Sequence, residues 1–319
     1  MALPETPSMA LRIARAADSA AGIRSFELRR DDGGELPEFT VGSHLSLRVP
    51  NGSVRKYSLC NDPVERDRYV IAVLREPGGR GGSVSLVDEA KEGDEILATP
   101  PRNDFPLVPS PAGYTFVAGG IGITPIMSMI RHLKSGGAAK FKLYYCTRSP
   151  QVTAFRDELT GPKFRGQVVM HHDGGELARA LDLWPALQQP RGHVYCCGPR
   201  GLMEAVRDMT GHWSPSAVHF EAFTEPQKHA ADDRAFRVRL ARSGAVVDVP
   251  AGTTILDAIR AAGHEAASSC ESGTCGTCRT KLIAGEPDHR DLVLAESERA
   301  DNIMICVSRA RSGELVIDR

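Results

Sequence analysis

Three stretches of the chain carry three different rhythms of apolar and polar positions. From residue 1 to about 105, short apolar runs alternate with turn signals. FTVGSHLSLRVPNG (39–52), RKYSLCNDP (55–63), RYVIAVLREPGG (68–79) and DEILATPPRN (94–103) each read as a strand bounded by Gly, Pro, Asn or Asp. SVSLVDEA (83–90) is the one short helix candidate there. This is the texture of an antiparallel β-barrel. From about 110 the rhythm changes. YTFVAGG (114–120), FKLYYCT (141–147), QVVMHH (167–172), HVYCCG (193–198) and AVHFEAF (217–223) read as strands. Between them IMSMIRHLKSG (126–136), AFRDEL (154–159), LARALDLWPAL (177–187) and GLMEAVRDMTG (201–211) read as helices. Strands alternating with helices imply a mostly parallel, doubly wound α/β sheet. TEPQKHAADDRAF (224–236) is polar and reads as a linker. After it come a hairpin pattern (236–252), the amphipathic TILDAIRAAG (254–263), a cysteine-rich loop, and a closing strand pair, NIMICVS (302–308) with GELVIDR (313–319). That is a small α+β domain. The expected division is 1–106, 107–226 and 227–319.

The cysteines change the picture most. Cys60, Cys146, Cys196 and Cys197 are scattered through apolar segments and read as reduced, mostly buried thiols. Cys270, Cys275, Cys278 and Cys306 sit in the last 50 residues. Their spacing, C-x4-C-x2-C and then a fourth cysteine, matches the plant-type [2Fe–2S] ligand set. Four soft thiolates suit two irons. Gly273 and Gly276 would let the loop fold tightly enough for N–H groups to point at sulfur. A zinc ribbon prefers two C-x2-C pairs. A Rieske centre needs two His ligands, and no C-x-H pair occurs, so the chain reads as an electron donor and not as a Rieske oxygenase.

Gly119, Gly120 and Gly122 lie between a strand and a helix, where backbone can approach a pyrophosphate. Pro125 stands where a third glycine would be, and Thr147, Arg148 and Ser149 end the second strand without an acid. This is not the common dinucleotide fingerprint. Cys197, Gly198 and Pro199 form a second turn at a strand's carboxyl end, the ligand-binding edge of such sheets. In the barrel, Arg55 and Ser58 suit flavin contacts and Tyr57 suits packing on its ring. Arg80, Gly81, Gly82 and Ser83 combine a cation with a helix N-terminus, which suits a phosphate. The His171–His172 pair reads as structural, with its rings on opposite strand faces.

Bulk properties exclude more than they assert. The chain has 319 residues, 41% hydrophobic and 25% charged, with a formal net charge of −1. Nothing there argues for nucleic acid or membrane binding. No apolar run approaches the roughly 20 residues of a spanning helix, and the first 20 residues do not read as a signal peptide. The expected location is the cytoplasm.

R-x-Y-S in a barrel, then G-G-I-G-I-T-P, then C-G-P, resembles the ferredoxin-NADP reductase superfamily. With a C-terminal plant-type ferredoxin domain, the chain resembles the phthalate dioxygenase reductase family over essentially its whole length. That resemblance implies roles. Arg55, Lys56, Tyr57 and Ser58 would line the flavin, and Ala72, Val73 and Leu74 would present strand backbone to the ring edge. Arg80 through Ser83 would hold a terminal phosphate, which favours FMN over FAD. Thr124 would sit near the reactive face of the ring. Gly119, Gly120, Gly122 and Pro125 would form the NADH pyrophosphate turn, with Cys197, Gly198 and Pro199 beside the nicotinamide. Phe223 would cover the flavin, and Glu221 would lie in the same region. Arg148 would attract a 2′-phosphate, whereas Asp173 would contact a ribose hydroxyl. Thr124, Cys197, Phe223 and Ser58 are then the residues nearest the chemistry.

A flavin is needed because NADH gives two electrons together and a [2Fe–2S] cluster takes one. Hydride passes to the flavin, and single electrons leave through the cluster. The expected client is the terminal oxygenase of a Rieske aromatic-ring oxygenase or O-demethylase system, served by a monomeric reductase. The alternative keeps the enzyme class but uses FAD and serves a diiron or haem-thiolate monooxygenase. A rival of another class is a carrier or sensor that uses only the cluster.

Overall fold

A computed structural model describes residues 8–136, 140–223 and 233–319. Most of the expected linker, and the boundary placed at 226, lie outside the described residues.

The first unit is an antiparallel barrel. Its strands are β1 (Met9–Ala20), β2 (Ile23–Arg29), β3 (Ser43–Arg48), β4 (Val54–Ser58) and β5 (Tyr69–Leu74). Helix α1 (Gly82–Glu89) follows, then β6 (Glu95–Ala98) and the short β7 (Arg102–Asn103). Strand order is β4-β3-β6-β1-β2-β5, with β7 on β3. The sheet closes just past β4, where Leu59 bridges Ile71 and the Cys60 N–H donates to Val70 O at 2.7 Å. This closure covers the sheet edges at Ile71 and leaves the far end of β5 open. Leu11, Ile13, Phe26, Leu28, Leu45 and Leu47 fill the inside. The β1–β2 hairpin is absent from the strand candidates of the sequence. Past Ile13 the inward alternation of β1 lapses, and its pairing with β2 shifts register twice.

The second unit runs β8 (Tyr114–Gly119), α2 (Ile123–Ser135), β9 (Phe141–Thr147), α3 (Arg156–Thr160), β10 (Val168–His172), α4 (Trp184–Leu187), β11 (His193–Cys197), α5 (Arg200–Met209) and β12 (Val218–Glu221). All five strands are parallel, in the order β10-β9-β8-β11-β12. The order reverses between β8 and β11, and that switch point opens the ligand crevice of such a sheet. The expected helix over 177–187 does not form. Leu177–Arg179 is a single 3-10 turn, and α4 covers only Trp184–Leu187. Asp182 accepts the Trp184 N–H at 3.0 Å and so starts a new turn there. Leu177 stands 91% exposed, so it supplies no packing to hold a longer helix. A ring nitrogen of His171 lies 2.6 Å from Arg179 O, and one of His172 lies 2.8 Å from Thr147 Oγ1.

Barrel and nucleotide sheet share a core. Ile23, Val41, Cys60, Ala72 and Phe105 pack in one cluster with Phe116, Ile126, Met127 and Tyr195. Helix α2 is also bonded to the barrel: Ser128 Oγ donates to Asn61 O at 2.8 Å and Arg131 Nη1 to Cys60 O at 2.7 Å.

The third unit has its own core. It contains β13 (Phe236–Leu240), β14 (Val246–Val249), α6 (Ile255–Ala261), β15 (Arg279–Ala284), β16 (Pro287–Asp288), β17 (Asn302–Met304), β18 (Arg309–Ala310) and β19 (Glu314–Ile317). The sheet order is β14-β13-β19-β15-β17, and β16 pairs β18. The two last strands do not pair with each other as expected. RTKLIA, unmarked in the sequence, enters between them as β15. Thr254 caps α6 by accepting the Asp257 N–H at 3.0 Å. Arg309 is 3% exposed and ties the start of the unit down, donating to the carbonyls of Thr253, Pro250 and Arg234 and pairing with Asp233.

Candidate functional site

Strand β4 carries Arg55, Lys56, Tyr57 and Ser58 across the mouth of the barrel. The Tyr57 hydroxyl is buried without a partner, and burial pushes its pKa up to about 12. An orphaned buried hydroxyl beside a cleft is what a bound polar ligand would satisfy. Arg55 lies against the start of α1. A Cβ on Gly82 would come within 2.7 Å of Arg55 Nε, so any larger residue there would push the guanidinium aside. Gly81, at φ +76, enters the helix with no side-chain cap. Free N–H groups at an uncapped helix start, beside a guanidinium, fit a terminal phosphate. Ser83 Oγ accepts the Glu76 N–H at 3.1 Å and shapes the Arg80 loop. On the other wall, Ala72, Val73 and Leu74 pair with β2 on one side only. Past the Leu59–Ile71 bridge no described strand takes their other edge, so that backbone faces the cleft. The residues present therefore fit a flavin mononucleotide.

At the switch point the glycines have a packing role. A Cβ on Gly122 would lie 2.2 Å from Cys197 O, and one on Gly198 would lie 2.8 Å from Gly119 Cα. The turns after β8 and β11 thus lock against each other, with Pro199 packed on Gly119. Gly120 differs: it has φ +53 and open space where a Cβ would be. Thr124 is buried and donates to Ile121 O at 3.0 Å, holding the first turn of α2. Pro125 is buried within the same turn. Cys197 is fully buried, and burial pushes its thiol well above the usual range, so it stays neutral. Arg148 and Asp173 meet at the ends of β9 and β10, on the same edge of the sheet. Asp173 accepts the Gly175 N–H at 2.7 Å, and Gly175 packs on the Arg148 side chain.

The four cluster cysteines gather as two pairs. Cys270 and Cys275 share a hydrogen bond, as do Cys278 and Cys306. The second pair is buried in the core of the third unit and the first is half-exposed. Among the described residues no three His, Cys, Asp or Glu side chains converge on a single-ion site. Two pairs suit two irons, each taking two thiolates. The loop turns at Gly273 (φ +74), Gly276 (φ +82) and, unusually, Glu271 (φ +53). Arg260 and Ser268 grip the Glu271 carboxylate at 2.8 and 2.6 Å and hold that strained residue in place. The Ser272 N–H points at Cys270 Sγ at 3.4 Å.

All three units meet at one place. Ser58 Oγ lies 3.5 Å from Glu221 Oε2 at the end of β12. Burial, then the charge of Asp104, pushes the Glu221 carboxyl up to about 8, and Cys270 lies close enough to add to that field. Phe223, two residues on, is 44% exposed at the same edge. Lys56 does not turn wholly to the barrel cleft. Its ammonium donates to Ser269 O at 3.4 Å and faces Asp104 at 3.8 Å. Asp104 and Ser269 carry no motif; only their positions, just after the barrel and just before Cys270, would have marked them.

A 2Fe-2S iron-sulfur cluster binding domain model matches residues 238–311, and an oxidoreductase NAD-binding domain model matches 116–172. The chain is 55% identical over 310 residues to the phthalate 4,5-dioxygenase oxygenase reductase subunit of Pseudomonas putida, covering 97% of this chain and 96% of that protein. It is 51% identical to the phthalate dioxygenase reductase of Burkholderia cepacia over the same shares. A solved phthalate dioxygenase reductase, described as a modular structure for electron transfer from pyridine nucleotides to [2Fe–2S], superposes with a TM-score of 0.71 at 50% identity and 98% coverage of both chains.

Proposed function

The chain belongs to the phthalate dioxygenase reductase family, and on that premise we propose that it feeds a Rieske-type terminal oxygenase, acting as a single chain. It is an NADH-dependent oxidoreductase that uses FMN and a [2Fe–2S] cluster. Bound FMN supplies the exchange between a two-electron hydride and single electrons, and the cluster supplies the one-electron exit. The working division is 1–106 for FMN, 107–226 for NADH and 227–319 for the cluster.

The chain's own residues bind and position. Arg55 and the N–H groups at Gly82 and Ser83 hold the phosphate, and the backbone of 72–74 holds the ring edge. Gly120 opens the pyrophosphate turn, while the interlocked Gly122 and Gly198 fix where the nicotinamide end sits. Neutral Cys197, Ser58 and Glu221 would shield a bound flavin from water, and Thr124 holds the first turn of α2. Phe223 stands where it can cover the ring before nicotinamide arrives. Asp173 beside Arg148 supports a ribose contact, hence NADH. Among the described residues no helix is long and apolar enough to cross a membrane; the cytoplasm is the location we propose.

One observation carries this reading: Ser58 of the barrel touches Glu221 of the nucleotide sheet, while Ser269, next to Cys270 of the ferredoxin unit, touches Asp104 and Lys56 of the barrel. An anaerobic NADH titration followed in the visible tests it. Flavin and cluster together take three electrons, so both bands should bleach by about 1.5 equivalents of NADH. A cluster band that stays oxidised while the flavin band bleaches overturns the assignment.

A further inference from the structure

The ferredoxin unit touches the barrel through a small polar seam. Ser269 lies immediately before Cys270, the first cluster cysteine. Its hydroxyl donates to one oxygen of Asp104, and its carbonyl accepts from Lys56 Nζ at 3.4 Å. Lys56 faces the other oxygen of Asp104 at 3.8 Å. The three residues close a ring of contacts, and its two arms to Ser269 span 165 and 213 positions of sequence. The Asp104 carboxylate is only 17% exposed, whereas Lys56 is 52% exposed. Beneath them His44 is buried and held neutral by that burial. Elsewhere the ferredoxin unit offers an apolar contact through Leu292, packed on the nucleotide sheet's core.

We propose that Asp104, Lys56 and Ser269 form a positioning clasp that holds the Cys270 end of the cluster loop against the flavin barrel and so sets the rate of internal electron transfer. This rests on the flavin-to-cluster assignment above. The geometry supports it in two ways. Both contacts made by Ser269 act on the residue next to a cluster ligand, so losing them frees that ligand's backbone directly. Lys56 belongs to β4, the strand that lines the flavin cleft, so the same strand that seats the flavin also seats the loop. Tunnelling rates fall steeply with separation, so a clasp at this point controls rate without touching a reacting atom. A partly exposed polar seam also lets the unit release and re-dock, which a dry apolar interface would resist.

The test uses the holoenzyme carrying Ser269→Ala, Asp104→Asn, or both. Lys56 is left alone because it also belongs to the flavin-lining strand. Stopped-flow reduction by NADH reads the flavin band and the cluster band separately. Three things are measured beside the rates: cluster midpoint potential, melting temperature, and hydrogen exchange of the peptide spanning 266–272. The proposal expects wild-type flavin reduction in Ser269→Ala, with cluster reduction slowed about tenfold in either variant, as loss of a positioning contact would do. It expects little further loss in the double variant, because the two residues act as one unit. Exchange at 266–272 should rise while potential and melting temperature stay put. Wild-type cluster reduction in both variants overturns the proposal. So does a slowing accounted for by a shifted potential. If the wild-type cluster never bleaches under NADH, the electron-transfer assignment itself has failed, and the clasp is not what broke.

Discussion

Gly122→Ala is the sharpest single test of the nucleotide crevice. The added Cβ would meet Cys197 O at 2.2 Å, Cys197 C at 2.5 Å and Gly198 N at 2.7 Å. All three are backbone atoms, so no side chain can swing aside. Real contacts of this kind do not fall below 3.0 Å, so the turns after β8 and β11 must part by about 0.8 Å. Both turns end at the switch point, so the displacement falls on the two segments that would flank the nicotinamide. Overpacking of this kind costs about 1–3 kcal/mol, which lowers the melting temperature by several degrees in a unit of this size. A misplacement near 1 Å costs on the order of 10²-fold in a positioned reaction. Anaerobic stopped-flow should therefore show flavin reduction by NADH slowed between about ten- and a hundredfold. Gly201→Ala is the control. It lies in α5 with open space around it and should raise stability by about 0.4–1 kcal/mol. If Gly122→Ala reduces its flavin and melts as the wild type does, the interlock is not what positions the nucleotide.

Three further outcomes follow from buried groups. His219 stacks on Tyr195 at 4.3 Å, and burial, then the neighbouring His193, lowers its pKa to about 4 from 6.5. Between those values the unfolded chain binds the extra proton, so His219 makes stability fall as pH drops from 6.5 towards 4. His219→Phe should flatten part of that slope in melting curves, and an unchanged slope would count against the buried-neutral assignment. Arg309→Ala removes the donor to the carbonyls of Thr253, Pro250 and Arg234, while Asp233 keeps Arg290 at 2.6 Å, so it should destabilise the ferredoxin unit by about 1–3 kcal/mol, read as loss of cluster absorbance at lower denaturant. Gly82→Ala should push Arg55 off the helix start and weaken FMN binding by about 1.5–3 kcal/mol, seen as free-flavin fluorescence on dilution; undiminished retention would remove Arg55 from the phosphate site.

The sequence made some of this architecture legible and hid the rest for physical reasons. The parallel sheet declared itself because each buried strand is a compact apolar run. The barrel's first hairpin did not, because β1 buries only Leu11 and Ile13 with conviction. LARALDLWPAL had helical spacing, but spacing alone does not make a helix when Asp182 caps a fresh turn and Leu177 finds nothing to pack on. Cysteine spacing marked Cys270, Cys275 and Cys278 as candidates because they share one loop, whereas Cys306 reaches Cys278 only through the fold. Asp104 and Ser269 were invisible because their meaning lies in contacts between units, which no local pattern encodes. Glu221 was recognised only by its place beside Phe223; its partnership with Ser58 needed the fold.

The shared core described for the barrel and nucleotide sheet has a consequence for how such chains can be recombined. Ile23, Val41, Cys60, Ala72 and Phe105 are packed with residues of β8, α2 and β11, so neither unit can be exchanged without re-cutting the other. The ferredoxin unit owns a core of its own, and among the described residues it touches the rest at the Asp104–Lys56–Ser269 seam and through Leu292. In evolutionary terms the shared core ties barrel and nucleotide sheet into one heritable part, while the ferredoxin unit, with a separate core, is the part that can be exchanged.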